Sequence, residues 1–278
     1  MMFLGRITRA ERQRLVSLFF RIKSIAERLP KAREEAVIGL RCLKAVNSNV
    51  LEGVKIDRVF LQILLHNAGL LDKGDISPVY RKAWLEIQGH QMMLRHVEAM
   101  ALKQKELSVS AMLEMHRIIF EKSWPDMAGK LRTVEVQISA ASHLPAHPSQ
   151  VAPMLQQYFA DLNSALSQTG DLTEKNFFDV LSLSARTQYR IAHIHPFIDG
   201  NGRIARAAGD YVMLCCGMLY VIVKPEYRDA YLAALEESSV VDCSALTDFL
   251  VFNYLETMER LASFFYFAEK NADDRAKF

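Results

Sequence analysis

Apolar residues recur at three-and-four spacing through almost the whole chain, and that period restricts it to helices packed on helices. Between residues 10 and 28 the positions Leu15, Leu18, Phe19, Ile22 and Ile25 line one face, with basic residues between them. The same period predicts helices over 33–46, 55–66, 79–102 and 108–121, the first two separated by the segment NSNVLEG. Ser108 or Ser110 supplies an N-cap for the fourth of these, and Pro125 ends the region. Helices resume over 151–168, 174–193 and 202–216, the last closed by Gly217. A further helix starts at Pro225, and 244–268 finishes the pattern. One stretch breaks the period. In RTVEVQIS, residues 132–139, Val134, Val136 and Ile138 alternate with Glu135 and Gln137, as a strand requires. The proline-containing AASHLPAHPSQVAP that follows reads as loop.

The expected fold is therefore all-α with one short β excursion. At 278 residues, half of them hydrophobic, the chain can bury a substantial core in one large or two small domains. No proline- or glycine-rich linker divides it, which favours one continuous helical body. A net charge of +2 gives no general field for nucleic acid or an anionic membrane surface. Apolar runs such as 264–268 are far too short to span a bilayer, and Arg6, Arg9, Arg12 and Arg14 interrupt any signal-peptide core. Cys42, Cys215, Cys216 and Cys243 make a poor disulfide framework, so a reducing, cytoplasmic setting is expected.

The chemistry concentrates in residues 195–206, HPFIDGNGRIAR. Pro196 biases His195 away from helical geometry, so one helix ends there and another begins near Asn201. Gly200 and Gly202 allow a tight turn and close approach to a ligand, and the free amides of a following helix N-terminus bind anions. Asn201 can add a side-chain donor. Arg203 and Arg206, three residues apart, can share a helix face and grip phosphate oxygens in two-pronged fashion. Asp199 offers the hard oxygen that Mg²⁺ prefers when it bridges phosphates. His195 titrates near neutrality, as the base for a hydroxyl nucleophile should. Phe197 is expected to anchor the loop in the core. Together these parts describe transfer from a nucleotide to a hydroxyl. A chain of this length matches such a pattern by chance on the order of 10⁻⁸ times, so accident does not account for it.

This motif resembles the active-site motif of Fic-domain proteins, with every defining position filled. The similarity extends over roughly 108–255, including MLEMHRIIF, AGKLRTVEVQIS and PEYRDAYLAALEE. The resemblance implies a Fic-like helical bundle with a short β-hairpin flap, and transfer of AMP from ATP to a Ser, Thr or Tyr hydroxyl of a target protein. His195 would activate the hydroxyl and Asp199 would hold Mg²⁺. Gly200, Asn201 and Gly202 would cradle the phosphates, and Arg203 and Arg206 would grip the β- and γ-phosphates. Thr133, Val134, Glu135, Val136, Gln137 and Ile138 would form the flap that clamps the target by strand addition. The organisation implied is an N-terminal helical region over 1–107, a Fic domain over 108–255 and a helical tail over 256–278. A homodimer is compatible with the family, and the target can be the protein itself.

A second signature lies upstream. SNVLEG, from Ser48 to Gly53, resembles the inhibitory helix of autoinhibited Fic proteins, and places such a helix at about 44–53. Ser48 and Glu52 lie one turn apart. If their face docks on the active site, Glu52 can pair with Arg206 and withdraw it from the γ-phosphate. Three rivals stay open. One is the reverse reaction, with Glu52 positioning water to remove AMP. Another is a different donor; phosphate transfer of the death-on-curing type typically needs a lysine where Gly202 stands. The third is a non-catalytic nucleotide-binding scaffold, against which the intact His195 counts. His143 and His147 are separated by Pro145 and do not form a helical metal pair. His193 and His116 read as structural, and Phe264–Phe267 as core or a dimer face. Tyr211, Tyr227 and Tyr231 are candidates for the adenine pocket or for self-modification.

Overall fold

The computed structural model describes residues 6–57, 60, 77–138 and 143–275. Its helices are α1 (Arg9–Arg28), α2 (Pro30–Leu51), α3 (Pro78–Leu102), α4 (Val109–Phe120), α5 (Pro148–Thr169), α6 (Phe177–Ile194), α7 (Asn201–Cys215), α8 (Arg228–Glu237) and α9 (Ser244–Arg275). A 3₁₀ turn, Pro225–Tyr227, leads into α8. No described helix is long and apolar enough to cross a membrane.

The ends of these helices follow local chemistry. Thr8 starts α1 with a capping box: its hydroxyl accepts from the Glu11 amide, and the Glu11 carboxylate accepts from the Thr8 amide. Proline occupies the first turn of α2, α3 and α5, where its missing N–H costs nothing. Ser108 caps α4 through the Ala111 amide. The buried face of α1 (Leu15, Val16, Phe19, Ile22, Ile25) packs against α9, with the Phe19 ring edge-on to Phe177 of α6 at 5.2 Å.

Helix α7 is the centre of the molecule. It packs along α6 on one side and α3 on the other, and every residue from Asn201 to Met213 except Gly202 is buried. Buried apolar residues from α1 through α9 join in one connected core, so the N-terminal helices pack on the same interior as the motif helix.

Two sequence expectations need correction. The β-hairpin flap does not form: among the described residues there is no strand, and 132–138 have no strand to pair with. Alternation alone is insufficient, because a strand needs a second strand to satisfy its backbone. Here Val134 is exposed, the return limb carries Pro145 and Pro148, and the segment is anchored instead by the Arg132 side chain. The gap after residue 46 also closes, since α2 continues to Leu51. Its last turns bury the polar Ser48 and Asn49 alongside Ala45 and Leu51, which blurs the hydrophobic period there. Most of the helix expected over 55–66 lies outside the described residues.

Candidate active site

His195 ends α6 in the left-handed region, at φ 55° and ψ 62°. A non-glycine residue adopts this conformation at some cost, so neighbouring contacts must hold it. Its amide donates to Ile191 O at 3.0 Å, and its carbonyl accepts from Arg132 Nε at 2.7 Å. Nδ1 lies 3.2 Å from the Ala192 carbonyl, which can only accept. The proton therefore sits on Nδ1, and Nε2 carries the free lone pair. Burial pushes the imidazole below its ordinary pKa against the opposing pull of the Ala192 bond, with Arg132 and His143 adding to the depression and Glu52 opposing it.

The loop after His195 is fixed from three sides. Phe197 is fully buried and stacks on His116 at 3.8 Å between ring centres. His116 Nε2 donates to Asp199 O at 3.0 Å, while Nδ1 accepts from the Gly129 amide at 3.0 Å. Asn201 closes the turn by bonding both backbone groups of Phe197 at 2.8 Å. Its carboxamide is thus committed to the loop, where the sequence suggested a phosphate donor. Gly200 has φ 83°, and a Cβ there would meet the Phe120 ring at 2.5 Å.

His116 has a consequence for stability. Burial holds it neutral, with a pKa lowered to about 4. The unfolded chain takes up a proton below about 6.5, whereas the folded state resists it. Stability is therefore complete above that value and falls as pH drops towards 4, by about 3 kcal/mol from this group. Urea unfolding at pH 7 and pH 4.5, with a histidine NMR titration identifying His116, checks this.

Beyond the loop, α7 presents its N-terminus and two arginines, each 2% exposed. Arg203 donates to Glu86 at 2.6 Å and Asn49 at 3.1 Å, reaches Asp199 at 3.3 Å, and lies over the Phe120 ring. Arg206 donates from Nε to Ser48 Oγ at 2.9 Å and from Nη2 to Glu52 Oε1 at 2.6 Å. The Asp199 carboxylate is nearly half exposed; Oδ1 accepts from the Gly200 amide at 2.5 Å.

Helices α2 and α7 meet as an antiparallel polar zipper. Lys44 and Ser48 on α2, with Glu52 at its C-cap, face Asp210, Arg206 and Gly202 on α7. At one end Lys44 and Asp210 form a wholly buried ion pair at 2.9 Å, and Lys44 also donates to Val221 O. At the other end the Glu52 carboxylate lies over Gly202: a Cβ on that glycine would sit 2.3 Å from Oε1. Arg228 of α8 donates to the Leu51 carbonyl at 2.9 Å and pins this last turn. Removing one charge of the buried pair strands the other, so Lys44→Met should destabilise the fold by about 3–5 kcal/mol. Lys44→Met with Asp210→Leu should recover most of it, as read from denaturation midpoints.

Most other predicted positions lie apart from this cluster. The His193 ring stacks on His143 at 4.0 Å, and Nδ1 is 3.3 Å from the Tyr189 hydroxyl. His147 is 3.9 Å from Glu135. Tyr211 donates to Lys105 O and Tyr227 to Glu256, while Tyr231 alone of the three tyrosines lies against Arg206, 5.6 Å from ring to guanidinium. All three tyrosines are buried. Of the C-terminal aromatics, Phe265 is core, whereas Tyr266 and Phe267 are exposed. Sequence reasoning missed Lys44, Asn49, Glu86, Arg132, Asp210 and Arg228. Polar residues at four-residue spacing, 44-48-52 facing 206-210, were the available signal for the zipper.

This arrangement coincides with a known domain: residues 106–213 match the Fic/DOC family. Residues 106–213 form a Fic domain. It is 28% identical over 165 residues to the protein adenylyltransferase Fic of Drosophila grimshawi, and 26% identical over the same length to that of Drosophila melanogaster. Each match takes in 59% of this chain and 32% of the relative, so the chain matches about a third of the length of those Fic relatives. In fold it is similar to a Fic-domain-containing signaling protein from Bacteroides thetaiotaomicron, with a TM-score of 0.74, 20% identity, and coverage of 91% of this chain and 98% of that one. It is also similar to residues 134–508 of Fic-1 from C. elegans, with a TM-score of 0.68, 22% identity, and coverage of 95% and 74% respectively. The matched stretch takes in the whole motif, from His195 at the end of α6 to Arg206 on α7.

Proposed function

We propose that this Fic protein transfers AMP from ATP to a hydroxyl of a protein, and that its own α2 holds it shut. The observation that carries this reading is the Glu52 carboxylate lying over Gly202 and pairing with Arg206 at 2.6 Å. That is where a nucleotide's phosphates would meet the amides of α7 and a guanidinium. Relatives named protein adenylyltransferase support the class of reaction.

His195 supplies the base. With the proton on Nδ1, Nε2 accepts the proton of the target hydroxyl as its oxygen attacks the α-phosphorus. The bond from the α-phosphorus to the bridging oxygen breaks, and pyrophosphate leaves. Amides at the start of α7 face the charge that builds on the phosphates. Residues 133–138 would lie beside the target segment, although not as a hairpin. The residues present fit Mg²⁺: Asp199 keeps a half-exposed carboxylate, and the described residues hold no cluster of three or more ligands, so the ion would arrive with the nucleotide. Bound there, it would neutralise phosphate charge.

The alternative of AMP removal uses the same residues, with the Glu52 carboxylate over Gly202 acting on a water molecule instead of blocking a nucleotide. Incubating Glu52→Gly with ATP labelled at the α- or γ-phosphate tests the proposal. Protein label from the α-position alone is expected. Label from the γ-position would mean phosphate transfer, and none from either would leave AMP removal or a nucleotide-binding scaffold.

A further inference from the structure

Arg132 sits in the segment before the α5 helix and is 3% exposed, yet it has no ion pair among the described residues. Its guanidinium is met by carbonyl oxygens instead. Nε donates to His195 O at 2.7 Å, Nη1 to Val134 O at 3.0 Å, and Nη2 to Ala146 O and, at 3.4 Å, to Ile194 O. Its backbone amide donates to Pro196 O at 2.9 Å. The last carbonyls of α6 have no partner within the helix, and a cation at a helix C-terminus also complements the helix dipole. One side chain therefore does two things. It caps the helix that ends in His195, and it ties both limbs of the 132–147 segment to that cap.

We infer that Arg132 is a positioning residue: it holds His195 in its left-handed conformation and links the placement of the base to the segment beside the target. The strain at His195 gives this its physical content. A residue at φ 55° relaxes towards ordinary backbone geometry when its carbonyl loses its donor, and that swings Nε2 away from the hydroxyl. Lysine does not substitute, because a single ammonium cannot span carbonyls on both sides of a planar fork. The inference rests on reading His195 as the base, so its test needs a measurement independent of transfer.

Two variants, Arg132→Lys and Arg132→Gln, made in the Glu52→Gly background, provide it. At saturating ATP and target, kcat should fall about 10- to 100-fold in both, because displacing a base by about an ångström costs that much. The KM for ATP should stay within about twofold, since the phosphate contacts on α7 are untouched. Histidine ¹⁵N spectra should show His195 as the Nδ1–H form in the parent and as a mixture in both variants. That spectrum reads the geometry even if no transfer is found in any protein. Retained ATP·Mg²⁺ binding reports that the fold survives, and if Arg132→Gln does not fold, Arg132→Lys carries the test. A kcat within about threefold of the parent in Arg132→Lys, or an unchanged His195 tautomer, overturns the assignment.

Discussion

Glu52→Gly raises the rate of AMP transfer to protein by about 10- to 100-fold over wild type, the span expected when a local contact is worth 1–3 kcal/mol to a closed state. The carboxylate has two effects, and the substitution removes both. It takes Nη2 of Arg206, and it fills the space over Gly202. The rest of α2 stays in place, because Lys44–Asp210 and Ser48–Arg206 do not involve the substituted side chain. The predicted signature is therefore a gain in activity with the helix still docked. Arg206 keeps Ser48 as a partner, and Glu52 is a quarter exposed, so the stability loss should be only about 1–2 kcal/mol. Glu52→Gln should activate less, since the amide still occupies the space while giving up the charge. Initial rates with labelled ATP, together with thermal unfolding of each variant, check both parts. A gain in activity accompanied by gross unfolding would contradict the docked-helix account.

His195→Ala in the same background should lower transfer by about 10²- to 10⁴-fold while leaving ATP·Mg²⁺ binding intact, because a base acts on the step and not on the phosphates. The two readouts separate loss of the base from loss of the pocket. Before that substitution, the pH profile of Glu52→Gly carries its own prediction. On the proposed reading His195 works as a base only when unprotonated, and its pKa lies below the ordinary imidazole value, chiefly through burial. Activity should therefore persist below about pH 6.5 and decline only as pH falls further. Losing Glu52 removes an anion that raises this pKa, which extends the plateau further towards acid. An acid limb above pH 6.5 would mean that another group titrates.

The helical class was legible because burial on one face imprints a period on the sequence, as Leu15 through Ile25 show on α1. Where burial is polar, that imprint disappears. Ser48 and Asn49 are nearly fully buried, yet they break the apolar pattern, so the end of α2 looked like a loop. The reverse error occurred at Val134–Ile138, where alternation suggested a strand but no strand among the described residues pairs with it. The motif could be located because its parts are contiguous, from His195 to Arg206. Its partners could not. Glu86 and Asn49 reach Arg203 from 117 and 154 residues away, and no local pattern couples positions so distant. Asn201 shows a subtler limit. Its residue type suited a phosphate donor, but closing the turn around Phe197 takes both ends of its carboxamide.

The account turns on one comparison. Wild type, Glu52→Gly, and Glu52→Gly with His195→Ala are each incubated with α-labelled ATP and protein from a cell lysate, and label on protein is measured. The account predicts little label with wild type, strong label with the single variant, and none with the double. Equal labelling by wild type and Glu52→Gly, or label that survives the loss of His195, would contradict it.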